Sequence, residues 1–134
     1  MIFLTVSVLA LSFPGCGKKE NTSDRTLRVG IVTYTQDDPF INTMTEQIRE
    51  DLKLKESKDM KILVSVKNGD NDQRDQDELV EEMIAAGCDV LCVNLVDRTA
   101  PSDIIKAARQ EKIPVIFFNR EPVKEDLMQW DQLY

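Results

Sequence analysis

Apolar residues recur along the chain in two rhythms. Short, β-branched or continuously apolar runs at 27–33, 60–66, 88–94 and 113–118 read as strands buried on both faces. Between them the spacing is helical. Ile41, Met44, Ile48 and Leu52 share one face of a helix from 40 to about 55. Leu79, Val80, Met83 and Ile84 share one face of a second, and Ile104, Ile105 and Ala108 mark a third that runs through Arg109. The punctuation agrees. Pro39 and Pro101 each open a helix, Asp72 with Asp75 three residues on reads as an N-cap with an acidic first turn, and Gly87 takes the left-handed stop position. The segment after Pro122 is mixed. The order β-α-β-α-β-α-β with short connections predicts an α/β fold with a doubly wound parallel sheet, since crossovers between parallel strands are right-handed.

In such a sheet, ligands sit beyond the carboxyl ends of the strands. The last apolar run stops abruptly at Asn119-Arg120-Glu121-Pro122. Collected at the same edge are Tyr34, Asp37, Asp38 and Phe40, then Asn68, Asp70 and Asp72, then Asn94 and Asp97. The set holds carboxylates, amides, one guanidinium and aromatics, which is the chemistry that recognises sugars. A carboxylate or amide bridges vicinal hydroxyls, and Arg donates a planar fork. An aromatic such as Phe40 covers the C–H face of a pyranose ring. Each residue also has a plainer account. Asp38 precedes a helix start, Phe40 belongs by default to the core, Asn94 can close a turn on its own backbone, and Asp70 and Asp72 suit a turn and a cap. Asn119 and Arg120 are harder to assign to structure alone.

Enzyme readings fare worse. The loop Tyr34-Thr35-Gln36-Asp37-Asp38 lacks the glycines of a pyrophosphate cradle. Asp37 and Asp38 are adjacent, so their side chains diverge and do not form a hydrolytic acid–base pair. With no nucleophile–base pair either, the chain is not expected to be an enzyme. A net charge of −7 counts against nucleic acid and anionic membrane surfaces as partners. With no His and three scattered Cys, zinc or copper ligation is not expected. Cys88 and Cys92, placed on one strand, would share a face about 13 Å apart at ~3.3 Å per residue, too far for a disulfide. They read as small buried hydrophobes.

The beginning of the chain differs from the rest. Residues 2–14 are almost continuously apolar, well short of the roughly 20 that span a bilayer, and fit the apolar segment of a secretory signal. Gly15-Cys16 follows, similar to a bacterial lipoprotein processing site at which Cys16 becomes the lipidated first residue. Phe13 stands where Leu is usual, and no Lys or Arg precedes the apolar run. A plain cleaved signal with an incidental Cys16 is the alternative. Residues 1–16 are thus read as a lipoprotein-type signal, 17–26 as a polar linker, and the protein as exported.

The strand-end residues stand in a particular order: Val29-Gly30-Ile31, Tyr34, Asp37-Asp38-x-Phe40, Asn71-Asp72-Gln73, Asn94-Leu95-Val96-Asp97, and Pro114 through Pro122. Over roughly 28–134 this resembles the galactose/glucose-binding proteins of bacterial ABC sugar importers, within the type I periplasmic binding proteins. The resemblance implies that Asp38 takes sugar hydroxyls, Phe40 stacks on the ring, Asn119 binds ring substituents and Tyr34 lines the cleft. Arg120 stands where that family usually has a sugar-reaching Lys, and Pro39 where Asn is common. It further implies a hexose ligand, ABC permease subunits as partners, a chemoreceptor as a second one, and membrane attachment only through a lipid anchor. Residues 27–134 would form an incomplete amino-terminal lobe of a two-lobed fold, with no cofactor here and any calcium loop in the second lobe. The alternative is a sugar-sensing effector domain of a regulator or sensor, against which the apolar head, in place of a basic DNA-binding one, argues. An exported α/β enzyme with a flavodoxin-like sheet is a third reading.

Overall fold

The computed structural model describes residues 25–134. Its strands are β1 (Arg25–Thr33), β2 (Met60–Asn68), β3 (Val90–Val93) and β4 (Val115–Phe117), and its helices α1 (Pro39–Lys53), α2 (Gln73–Ala85), α3 (Ser102–Glu111) and α4 (Lys124–Leu127). All strand pairs are parallel, in the order β2-β1-β3-β4. The expected alternation of strands and helices is therefore present, with shifted ends. β1 starts at Arg25 because Arg25 and Thr26 pair with Met60 and Lys61, and β2 reaches Asn68 opposite Thr33. The signal and lipidation readings, including Cys16, lie outside the described residues.

Local chemistry sets the helix boundaries. Asp38 caps α1, its carboxylate accepting from the Phe40 N–H, and Pro39 takes the first helical position. The Asp72 carboxylate accepts from the N–H groups of Arg74 and Asp75 at the start of α2. At the other end of α2 the Gly87 N–H bonds the Ile84 carbonyl and the Cys88 N–H bonds the Met83 carbonyl, with Gly87 at φ +80°. That is the paired bonding of a Schellman stop, which favours a residue without Cβ. α3 ends instead on Lys112 in the left-handed region.

The sheet has an apolar layer on each face. On one, Val32, Leu91, Val93, Val115 and Phe117 meet Val80 and Met83 of α2 and Ile104, Ile105 and Ala108 of α3. On the other, Val29, Ile31, Ile62 and Cys92 meet Ile48 and Leu52 of α1. The two cysteines fall on opposite sides, which corrects the one-face expectation. The strand begins only at Val90, so Cys88 belongs to the turn after α2 and packs with Met83 and Leu91, while Cys92 faces α1. Both are free, and burial pushes the Cys92 thiol up to about 11. The mixed tail supplies α4, and residues 132–134 then run beside β4, bonding the backbones of Val115 and Phe117. Among the described residues no helix is long and apolar enough to cross a membrane.

This order has a consequence for the site. From β1 the chain crosses to β2 on one side, while β3 lies on the other, so the connections leaving β1 and β3 diverge and open a crevice between their carboxyl ends. Gly69, just past β2, donates its N–H to the Thr33 carbonyl, and a Cβ there would stand 2.8 Å from that same oxygen. Gly69→Ala is therefore expected to cost about 1–3 kcal/mol by overpacking, measured as a lower denaturation midpoint at unchanged m-value.

Candidate functional site

Tyr34 follows β1 directly, at the crevice. Its N–H donates to the Asn94 Oδ1 at the end of β3, at 3.4 Å. Its phenol reaches forward four residues across the loop and donates to the Asp38 Oδ2 at 2.7 Å. The other oxygen of Asp38 accepts from the Phe40 N–H at 2.8 Å. One carboxylate thus caps α1 and fixes the tyrosine, which joins the plainer reading of Asp38 to a place at the edge. Phe40 itself is 59% exposed, so its default assignment to the core is wrong. It occupies the first turn of α1, where Ile41 rather than Phe40 points inward.

The opposite side of the crevice comes from the end of β4. Asn119 adopts φ +57°, a left-handed conformation that Asn tolerates better than most residues. The Arg120 N–H closes this turn on the Phe118 carbonyl. The turn leaves Asn119 exposed and carries Arg120 back across the edge. The Arg120 guanidinium lies over the Tyr34 ring, 3.8 Å from its centroid, within the range of a cation–π contact. Its Nη1 donates to the Val96 carbonyl at 3.2 Å. Tyr34, Asp38 and Arg120 are therefore in contact, with Phe40 and Asn119 flanking them.

The electrostatics follow from these bonds. The phenol donated by Tyr34, and then the Phe40 N–H, hold the Asp38 carboxyl below the usual aspartate range. The same hydrogen bond pushes the Tyr34 phenol up, because its proton is held between two oxygens. Asp38 is the acceptor and Arg120 the compensating cation.

Other residues gathered at this edge are structural. The Asn68 Oδ1 accepts from the Asp70 N–H, Asp72 caps α2, and the Asp97 Oδ1 accepts from the Thr99 N–H and hydroxyl. Asn94 does not close a turn on itself. It is fully buried, and its Nδ2 donates to the Phe118 carbonyl at 3.1 Å, so one amide ties the ends of β1, β3 and β4. Sequence reasoning passed over Gln76, also fully buried, whose Nε2 donates to the Asn94 carbonyl at 3.0 Å and whose Oε1 accepts from the Val96 N–H at 2.9 Å. The signal was present: Gln76 stands one turn before Val80 on the inward stripe of α2. Among the described residues no group of three or more His, Cys, Asp or Glu is placed to hold a metal ion.

Comparison with known proteins places this architecture. The chain belongs to the periplasmic binding protein family, whose domain model matches residues 29–131. It is a family of solute-binding proteins and not of enzymes. Over 107 residues the chain is 32% identical to the D-galactose/methyl-galactoside binding periplasmic protein of Haemophilus influenzae, covering 80% of this chain and 31% of that one. It is 26% identical over 125 residues to the ribose import binding protein of Bacillus subtilis, covering 89% and 39%. A solved carbohydrate transporter solute binding protein from Chloroflexus aurantiacus, in complex with D-glucose, superposes with a TM-score of 0.60 at 29% identity, covering 72% of this chain and 27% of that one. The chain thus spans about a third of the length of the curated relatives it matches.

The depressed Asp38 pKa makes a pH prediction. A carboxyl that ionises more readily folded than unfolded contributes stability above its unfolded value, about 3.9, and loses it as pH falls through the folded value. Asp38→Asn should remove that share. Acid titrations of stability for the two proteins should differ most at neutral pH and begin to converge only as pH falls from about 3.9 down through the folded value.

Proposed function

We propose that this chain is the amino-terminal lobe of the substrate-binding component of an ABC sugar importer, and that it takes a hexose, glucose or galactose, outside the cytoplasmic membrane. The observation that carries the reading is the grouping at one exposed edge of a carboxylate, an amide, a guanidinium and an uncovered aromatic ring. The names of relatives that bind galactosides or hold D-glucose support it. In this reading Asp38 accepts from vicinal hydroxyls, the Asn119 amide bonds ring substituents, and Phe40 lies against the C–H face of the ring. Tyr34 lines the crevice and Arg120 presents its remaining donors. Arg120 is already stacked and bonded to a carbonyl, so it offers fixed donors where a lysine would offer a mobile one.

The ABC permease is then the downstream partner and a chemoreceptor a second listener. Residues 1–16 direct export, and Cys16 carries a lipid anchor. Cys16→Ser in the full-length chain should move the protein from the membrane fraction to the soluble one. An unchanged distribution excludes the anchor.

One lobe gives a sugar one wall and leaves its other face in water, so binding by this chain is expected near millimolar Kd, about −4 kcal/mol. Amide chemical shifts of the isotopically labelled protein should therefore move at Asp38, Phe40 and Asn119 on titration with D-glucose or D-galactose. Asp38→Ala should abolish the response. Asn119→Gly, which suits the left-handed backbone while removing the amide, should weaken it with the fold intact. Shifts confined to another face, or none with either hexose well above millimolar concentrations, would sink the reading.

A further inference from the structure

The contacts around Gln76 form a closed circuit. Its Nε2 donates to the Asn94 carbonyl and its Oε1 accepts from the Val96 N–H. The Asn94 side chain accepts from the Tyr34 N–H. The Val96 carbonyl accepts from Arg120, and Arg120 stacks on the Tyr34 ring. Starting from Gln76, both branches arrive at the same pair of edge residues. We propose that Gln76, which touches no ligand, is the positioning residue that sets Tyr34 and Arg120 at the sugar-binding edge.

Four features support the role. Gln76 is fully buried on α2, so its rotamer is set by packing and it is a rigid reference for the loops. Its two bonds reach alternate residues of the segment leaving β3, fixing that backbone's direction as well as its distance. Room for it is built in, since a Cβ on Gly69 would stand 3.3 Å from the Gln76 Cβ. The amide is also specific in its orientation. One acceptor and one donor are needed in fixed order, so neither an apolar side chain nor an ionised carboxylate substitutes for it. The ligand consequence rests on the hexose reading above, but the circuit does not.

The test separates the two by nuclear magnetic resonance of the whole chain, first without sugar. In the wild-type protein the Arg120 Nε–H should carry an upfield ring-current shift from Tyr34. In Gln76→Met that shift should collapse while the indole resonance of Trp130 stays at its folded position. In Gln76→Glu it should be lost at neutral pH and return as pH falls, because the protonated carboxyl regains a donor for the Asn94 carbonyl. Should Gln76→Met fail to fold, Arg120→Ala decides. It breaks the circuit from a half-buried position outside the core, and the Gln76 side-chain amide and Val96 N–H resonances should move. An unshifted Arg120 in folded Gln76→Met, or unmoved Gln76 and Val96 signals in Arg120→Ala, overturns the proposal. Titration with D-galactose and D-glucose is read afterwards, with a roughly tenfold weakening expected in folded Gln76→Met. Retained affinity there overturns the positioning role, whereas a wild-type protein that ignores both hexoses overturns the ligand reading and leaves the ring-current result to judge Gln76.

Discussion

The backbone leaving β3 has two polar groups that no strand or helix satisfies, the carbonyl of Asn94 and the N–H of Val96, and one buried amide takes both. Leaving either unpaired would cost about 1–3 kcal/mol, so the geometry of this crossing depends on Gln76. The dependence spreads outward. The same segment supplies the carbonyl that seats Arg120, and the side chain of Asn94 holds the backbones after β1 and β4. Where the backbone ladder stops at the end of β3, two buried amide side chains carry the hydrogen bonding onward.

The exposed side of the same edge is arranged by charge. Asp38 caps a helix, fixes a phenol and faces a guanidinium, so its negative charge is stabilised from three directions. Arg120, spread over the Tyr34 face, is held in addition by the Val96 carbonyl. Phe40 and Asn119 project on either side, one from the first turn of a helix and the other from a left-handed turn. The exposed polar and aromatic groups of this edge thus stand on secondary-structure ends and not on long loops, which favours a rigid, preformed edge.

Much of this was legible beforehand. The four strands, the three long helices, the Asp72 cap and the Gly87 stop follow from periodicity and local chemistry, and each is a matter of a few neighbouring residues. The convergence of Tyr34, Asp38 and Arg120 followed from one further step, the rule that parallel strands present their carboxyl ends together. Other readings failed where a side chain's surroundings come from distant elements. Phe40 looked like core because aromatics near helix starts usually are, yet Ile41 takes the inward position. Cys88 and Cys92 were separated by a turn that ends later than their spacing implied. A local turn is what the sequence around Asn94 suggests, whereas its partners lie 60 and 24 residues away.

The succession of elements, the parallel α/β class and the residue types available at one edge follow from the chain alone, because these depend on interactions a few residues apart. Which polar side chains are buried struts and which stand free is set by the packing of distant elements. A glutamine on an apolar helix stripe has the same local pattern whether it is tolerated there or required there. The difference appears only when the crossover brings Asn94 and Val96 against it, and that meeting belongs to the strand order, which no stretch of the chain encodes alone.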